Sequence, residues 1–451
     1  MERRAARDIL NWKDDPRRKP LIIRGARQVG KTWLVDNVLA QAFETYAKID
    51  LEKRRDLHTY FAESLDPHQI LTHLELSAGR IVPGKTLLFL DEIQACPNAI
   101  AALRYFYEEV PDLHVVAAGS LLELALSTIS MPVGRVQYLL MQPMTFHEYL
   151  TASGKDVLAE YSLLDPASVS PSIQEAILGE VKHYFFVGGM PESVKAYVET
   201  GSVLESFRVQ SEIMTSYRDD FSKYFPRVNP STLDTVLLHT AMSVGDQIKY
   251  TRLSDTTSSQ VNKNALELLI KARLVHKIPS CNPPGLPLGA TANQKKFKAA
   301  FLDIGLMQNL CGLPVERELR QEDLLSIYQG KLAEQFVAQE LIAWHAPDLH
   351  YWARESRGSN AEVDYLVSRE GQVYPVEVKS GRGGSLRSLH LMLQSYPEIP
   401  QGLVMYSDVY KELPEQKIVF APLYAVQALA GSGRNEGKKR GNSYPTSSNK
   451  G

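Results

Sequence analysis

The chain has 451 residues and a net formal charge of −2, and 44% of its residues are hydrophobic and 23% charged. That balance is ordinary for a globular protein and excludes a wholly disordered, fibrous or coiled-coil chain; at roughly 150 residues per domain the length predicts about three domains. No run approaches the ~18 apolar residues of a membrane helix, the start Met1–Asp8 has no signal-peptide core, and Cys96, Cys281 and Cys311 stand in no CxxC or metal-ligand spacing, so a cytoplasmic chain without membrane contact, disulfides or zinc is expected.

Residues 1–205 alternate strand and helix patterns, which predicts a parallel sheet covered on both faces. The expected strands are Leu21–Arg24, Tyr46–Leu51, Thr86–Leu90, His114–Gly119 and Val136–Met141, with helices such as Trp33–Ala42 and Ile100–Glu109 between them. Gly25-Ala26-Arg27-Gln28-Val29-Gly30-Lys31-Thr32 fits GxxxxGK[ST], entered by a strand and left by a helix. Glycines there let the backbone N–H groups and the helix N-terminus surround phosphates. Lys31 is expected to reach the β- and γ-phosphates and Thr32 to hold Mg²⁺. Sixty residues after Lys31, the buried strand pattern Leu87–Leu90 ends in Asp91 and Glu92. At the carboxyl end of such a strand Asp91 would bind Mg²⁺ and Glu92 would activate the attacking water, so ATP hydrolysis is expected. Ser120, at the end of the next strand, would either sense the γ-phosphate or cap the helix beginning at Leu121. Arg135 would be either an arginine finger, acting on its own site or in a second copy of the chain, or a surface arginine paired with a neighbouring carboxylate.

From Ser211 to Lys277 the pattern turns helical. Thr251–Leu269 suggests helix-turn-helix geometry, with wing strands Arg273–Ile278 and Lys295–Leu302 around the Pro-rich loop 279–287. Gln260, Asn262, Lys263 and Asn264 would face a major groove, with Lys295, Lys296 and Lys298 on phosphates, unless the module packs on the ATPase as a lever. Next come a helix Gly330–Leu341, strands Tyr351–Arg354, Glu362–Val367 and Tyr374–Lys379, a helix Leu386–Tyr396 and a strand Gly402–Tyr406. Glu377 and Lys379 share one strand face, and a neighbouring strand can bring Asp364 beside Glu377 as a hard oxygen site for Mg²⁺, with Lys379 positioning water. Residues 431–451 carry Arg434, Lys438, Lys439, Arg440 and Lys450 against Glu436 alone, +4, leaving −6 for the rest. Such a composition predicts a disordered tail.

The order of Gly25–Thr32, Leu87–Glu92, Ala118-Gly119-Ser120, Gly134-Arg135, Gln142–Tyr149 and Gly188-Gly189-Met190-Pro191-Glu192 resembles bacterial and archaeal AAA+-like ATPases with a C-terminal DUF4143 region. The resemblance covers nearly the whole chain except the tail, and Ala118 departs from the threonine many relatives carry. It implies that Pro191 contacts the base or sugar of the nucleotide, or else opens a helix. The later order of helix-Glu, strand-Asp and strand-Glu-x-Lys resembles the PD-(D/E)xK nuclease superfamily, and implies Glu334, Asp364, Glu377 and Lys379 as catalytic residues. The expected architecture is α/β: a P-loop ATPase domain at 1–205, a helical and winged-helix connector at 206–305, a restriction-endonuclease-like domain at 306–430 and the basic tail 431–451. The expected function is ATP-dependent action on nucleic acid, DNA before RNA, with Mg²⁺-dependent cleavage. The alternative is a nucleotide-driven switch whose nuclease-like region only recognises DNA or a protein partner.

Overall fold

The computed structural model describes residues 2–120, 122, 134–224, 228–282, 284–312, 329–345, 349–356, 359–379 and 385–430. The basic tail and most of the helix expected from Leu121 lie outside them. Five strands, β1 Leu21–Arg24, β2 Thr45–Asp50, β3 Thr86–Asp91, β4 His114–Gly119 and β5 Gln137–Leu140, form an all-parallel sheet in the order β2-β3-β4-β1-β5. The inner strands β1, β3 and β4 are mostly apolar because both faces of a parallel sheet are covered, while the edge strands β2 and β5 keep polar or exposed residues such as Lys48 and Gln137. Ile22, Leu88, Leu90, Val115 and Ala117 face one core, with Phe61, Ile70 and Leu103, and Leu21, Ile23, Leu87, Phe89 and Val116 face the other. The flanking helices are α1 (Arg4–Asp14), α2 (Lys31–Leu34, continuing in helical turns to Ala42), α3 (His58–Glu63), α4 (Pro67–Ala78) and α5 (Pro97–Glu109).

A helical layer follows: α6 (Phe146–Ala152), α7 (Asp156–Ser162), α8 (Pro171–Val187), α9 (Pro191–Thr200), α10 (Val203–Tyr224), α11 (Pro230–Met242) and α12 (Ser259–Lys271). After α12 come β6 (Val275–Cys281) and β7 (Ala292–Phe301), an antiparallel pair whose register shifts after Pro279. The bulge lets the strand run past a residue that cannot donate to the ladder, so β6 ends three residues beyond the expected Ile278. The hairpin expected as a pair of wing strands is no free wing. β6 pairs parallel with β8 and so joins an eight-stranded sheet, β12-β13-β11-β10-β9-β8-β6-β7.

The rest of that sheet is β8 (His350–Ser356), β9 (Ser359–Arg369), β10 (Gln372–Val378), β11 (Gly402–Tyr406), β12 (Lys411–Leu413) and β13 (Ile418–Pro422). The helices of this half are α13 (Ile304–Cys311), α14 (Gln329–His345), α15 (Arg387–Ser395) and α16 (Val426–Ala430). α15 covers one face through Leu389 and Met392 against Trp352, Val363 and Val404, and α14 covers the other with Leu332, Phe336 and Leu341. That second core is continuous with the core of the parallel sheet. The boundaries drawn from sequence at 205/206 and 305/306 both fall inside helices, α10 and α13. None of the described helices is long and apolar enough to cross a membrane.

Candidate functional site

The P-loop leaves β1 at the carboxyl edge of the parallel sheet. Its entry turn admits only glycine: at Gly25 φ is 154°, and an added Cβ would lie 2.4 Å from the Met141 carbonyl oxygen. Lys31 is buried, and its ammonium donates to the carbonyls of Gly25 at 3.1 Å and Ala26 at 2.7 Å. The Thr32 hydroxyl donates to the Asp91 carboxylate at 3.1 and 3.3 Å, across from β3. Burial, then the neighbouring Glu92, raises Asp91 above the usual carboxylate range, while Thr32 and Lys48 pull it down. A hydroxyl and a carboxylate at this spacing are hard oxygen donors that suit Mg²⁺.

Glu92 has left-handed backbone, φ 49° and ψ 45°, a strain of about 1–3 kcal/mol of the kind found at active sites. Its carboxylate accepts from the Gln94 amide, and Gln94 lies so close to Gly119 that an added Cβ would meet its oxygen at 2.3 Å. Ser120 is buried at the end of β4, on the same edge. Pro191, first residue of α9, is against the P-loop: a Cβ on Gly30 would be 3.7 Å from its ring.

Around the P-loop stand further groups, of which Arg3, Tyr217, Asp220 and Asp303 were not singled out by the sequence. Arg3, 6% exposed, donates to the Val29 carbonyl at 2.9 Å and the Gln142 carbonyl at 2.7 Å and pairs with Glu148 at 3.2 Å. Arg27 pairs with Asp220 of α10, and the Tyr217 hydroxyl of the same helix donates to the Arg27 carbonyl at 2.7 Å. Asp303 is fully buried and accepts from the N–H of Gly189 at 2.6 Å and of Leu306 at 3.0 Å. It is packed so tightly under Gly188 (φ 65°) that a Cβ there would sit 2.3 Å from its oxygen. Arg135, by contrast, is not brought to the P-loop. It lies before β5, level with residues before β1, at the opposite edge of the sheet, and pairs with Glu108 at 2.7 Å. An arginine-finger role at its own chain's nucleotide is corrected by that placement, because the strands run parallel and the P-loop is at their other end.

The residues of the second predicted constellation come together on the larger sheet. β9 and β10 are antiparallel with Tyr365 opposite Val376, so the next residues, Asp364 and Glu377, are neighbours. Asp364 accepts from the Val378 N–H at 2.8 Å, Glu377 pairs with Lys379 at 2.7 Å, and Glu334 approaches from α14. Burial, then Asp364, pushes both Glu334 and Glu377 up from the usual glutamate range. The site's unexpected member is Lys298 of β7, whose ammonium lies 2.6 Å from Glu362, 3.0 Å from Asp364 and 3.6 Å from Glu334. Burial opposes its charge, yet Asp364, Glu334 and Glu362 outweigh this and hold its pKa well above the usual lysine value. The donor set therefore does not fit Mg²⁺ as it stands. A cation is already among the oxygens, and among the described residues no three acidic, imidazole or thiol side chains are gathered as metal ligands.

Two expectations for nucleic-acid contact are corrected. Lys298, 1% exposed, cannot touch phosphate. Asn262 is fully buried and holds the preceding turn through the carbonyls of Tyr250 at 2.8 Å and Ser254 at 3.2 Å. Gln260, Lys263, Asn264 and Lys295 are exposed, and Lys296 partly so.

Residues 17–150 match the family described as AAA domain. Residues 178–317 match a domain of unknown function, DUF8612, and residues 329–426 another, DUF4143. The chain carries an AAA-type P-loop ATPase fold followed by a DUF4143 region. No curated protein matches it. Similar solved structures include the Walker-type ATPase PABY2304 of Pyrococcus abyssi, at 16% identity over 68% of this chain and 95% of that one with a TM-score of 0.44. The Thermotoga maritima RuvB Holliday junction branch migration motor is 14% identical over 62% and 90%, TM-score 0.31. The STAND protein PH0952 of Pyrococcus horikoshii is 14% identical over 76% and 45%, TM-score 0.26. At these TM-scores the likenesses carry no assignment for the chain as a whole.

Proposed function

We propose that this protein binds Mg·ATP between the P-loop and the ends of β3 and β4, hydrolyses it, and uses the nucleotide state to change how its C-terminal half meets nucleic acid. The observation that carries the ATPase reading is the Thr32 hydroxyl on the Asp91 carboxylate at 3.1 Å, with Glu92 next in the chain. Thr32 and Asp91 would hold Mg²⁺, which when bound neutralises charge on the phosphate oxygens. Lys31 exchanges its loop carbonyls for the β- and γ-phosphates, and the N–H groups of residues 25–32 surround them. Glu92, steadied by Gln94, takes the proton of the attacking water. Pro191, beside Gly30, closes the base or sugar side, and Ser120 lies within the same edge to meet the γ-phosphate.

Steady-state ATP hydrolysis tests this directly. Lys31→Ala should abolish hydrolysis and nucleotide binding, whereas Glu92→Gln should bind Mg·ATP and leave it intact. Hydrolysis by Glu92→Gln at the wild-type rate would remove the water-activating role.

For the C-terminal half, recognition has better support than cleavage, because Lys298 stands among the carboxylates that a nuclease would give to Mg²⁺. DNA, before RNA, is the partner proposed for the exposed Gln260, Lys263 and Asn264 of α12 and for Lys295 of β7. Binding to duplex DNA that weakens steeply with salt supports this; salt-independent or absent binding points to a protein partner instead.

A further inference from the structure

We propose that Lys298 is the built-in counter-ion of the Glu334–Asp364–Glu377 centre, standing where a divalent cation would otherwise sit, so that the folded protein holds this centre without metal. The inference deepens the recognition reading of the C-terminal half and is independent of ATP hydrolysis. Its basis is geometric. Lys298 reaches the centre from β7, in the segment before α14, whereas every carboxylate comes from α14, β9 or β10. The ammonium is within 4 Å of three of them, Glu362, Asp364 and Glu334, and 5.4 Å from the centre of the Tyr351 ring, and the whole side chain is buried.

Both oxygens of Asp364 are already committed, one to Lys298 and the other to the Val378 N–H. Mg²⁺ demands six oxygens in near-ideal octahedral array at ~2.0–2.1 Å, and an ammonium sharing Asp364 would repel it at close range. Two oxygens of the centre, Glu334 Oε2 and Glu377 Oε2, are buried without a hydrogen bond. Four carboxyl groups, Glu334, Glu362, Asp364 and Glu377, thus already face two ammonium groups, Lys298 and Lys379. The backbone fixes the arrangement: Lys298 lies opposite Ile278 on β6 and bridges Gln247, and the loop at Gly245 is closed over Glu334, where a Cβ would meet its carboxylate at 2.8 Å.

The test is a Mn²⁺ titration of the nucleotide-free full chain followed by electron paramagnetic resonance. Wild type and Asp364→Asn should take up the same number of ions. Lys298→Met, which keeps an unbranched apolar stem but lacks the terminal ammonium, should bind one further Mn²⁺ at least tenfold more tightly than any site Asp364→Asn retains. The double variant Lys298→Met/Asp364→Asn should lose it. Mn²⁺ should also raise the melting temperature of Lys298→Met and leave that of wild type unchanged. A wild-type site that Asp364→Asn or Glu377→Gln abolishes would overturn the proposal, as would a folded Lys298→Met that gains none. If Lys298→Met does not fold, the comparison of wild type with Asp364→Asn and Glu377→Gln decides alone: equal uptake supports the counter-ion, and a lost site overturns it. Failure of the DNA-binding reading would show in the salt titration and not here.

Discussion

Asp303 offers a quantitative test of how the P-loop neighbourhood is held. Its carboxylate accepts two backbone N–H groups, from Gly189 and Leu306, with the Gln339 amide at 3.4 Å. Asp303→Ala would strand both N–H groups in a fully buried place, at about 1–3 kcal/mol each, the second of them an N-cap bond worth about 1 kcal/mol on its own. The expected loss is therefore ~3–5 kcal/mol of unfolding free energy, a large part of the ~5–15 kcal/mol typical of a native protein. Asp303→Asn keeps one acceptor oxygen and should lose about half as much. Urea unfolding at pH 7.5 measures both. Because Gly189 leads directly to Pro191 on the P-loop, the KM for ATP should rise in parallel. A loss below about 1 kcal/mol for Asp303→Ala would refute the claim that this carboxylate is what satisfies the two donors.

The same residue fixes a pH dependence. Burial pushes Asp303 up to about 6, although Gly189, Leu306 and Gln339 all favour the charged form. Between 3.8 and about 6 the folded state therefore holds a proton that the unfolded chain has released. The stability this confers is complete below 3.8 and is lost as pH rises through about 6, an effect of ~3 kcal/mol. The difference in unfolding free energy between wild type and Asp303→Asn should accordingly grow as pH falls from 7 to 4.5. A difference that stays flat over that range would mean the carboxyl titrates alike in both states.

Further expectations follow from the same contacts. Gln94→Ala removes the partner of the Glu92 carboxylate and should lower kcat about tenfold with KM nearly unchanged, read by steady-state hydrolysis. Glu340→Ala takes away the acceptor of the Phe146 N–H at 2.9 Å and should cost about 1–3 kcal/mol in urea unfolding. Duplex DNA affinity should differ several-fold between Glu92→Gln with ATP and wild type with ADP, the ~1–3 kcal/mol usual for coupled sites; equal affinities in a filter-binding assay would mean the halves are merely tethered.

The parallel sheet was legible because each of its strands is a local signal. His114–Gly119 and Leu21–Arg24 have the expected bounds, and Asp91 and Glu92 stand at a strand end where apolar patterning stops. The clustering of Asp364 and Glu377 could be read likewise, since a hairpin register needs only the turn at Glu370-Gly371. What escaped were the contacts over a long sequence separation that no motif marks. Lys298 reads as a surface lysine beside Lys295 and Lys296, and only its position against Ala299-Ala300-Phe301, apolar on both faces of the strand, hints that it must enter the core with a partner. Asn262 looks like a groove-reading side chain on an exposed helix until the turn it holds, Tyr250 to Ser254, is known. Arg3 and Asp303 carry no motif at all; Asp303 shows locally as a helix cap, while the Gly189 N–H it also holds is 114 residues away.

Those distant contacts also decide whether the three matched segments can live apart. The seams are closed by buried polar groups set among aromatic ones: Glu340 accepts from the Phe146 N–H, Gln339 donates to the Tyr184 hydroxyl at 2.9 Å, and Phe336 packs on Phe146 with ring centres 5.9 Å apart. Hydrophobic burial rewards any close packing, but hydrogen bonds to buried groups reward only one register, since a mispaired group costs about 1–3 kcal/mol. A fragment ending at residue 205 cuts α10 within its first turn. It removes Ile213, Tyr217 and Phe221 and strips Phe336 and Leu306 from the core they share with Tyr184 and Phe185. It also leaves Arg27 without Asp220 and Gly189 without Asp303. Residues 1–205 expressed alone should therefore aggregate or melt without cooperativity, whereas residues 1–312 expressed together with residues 329–451 should assemble into one complex that hydrolyses ATP. A soluble 1–205 fragment that melts cooperatively and turns over ATP at the wild-type rate would show that the seams contribute nothing to the folded ATPase.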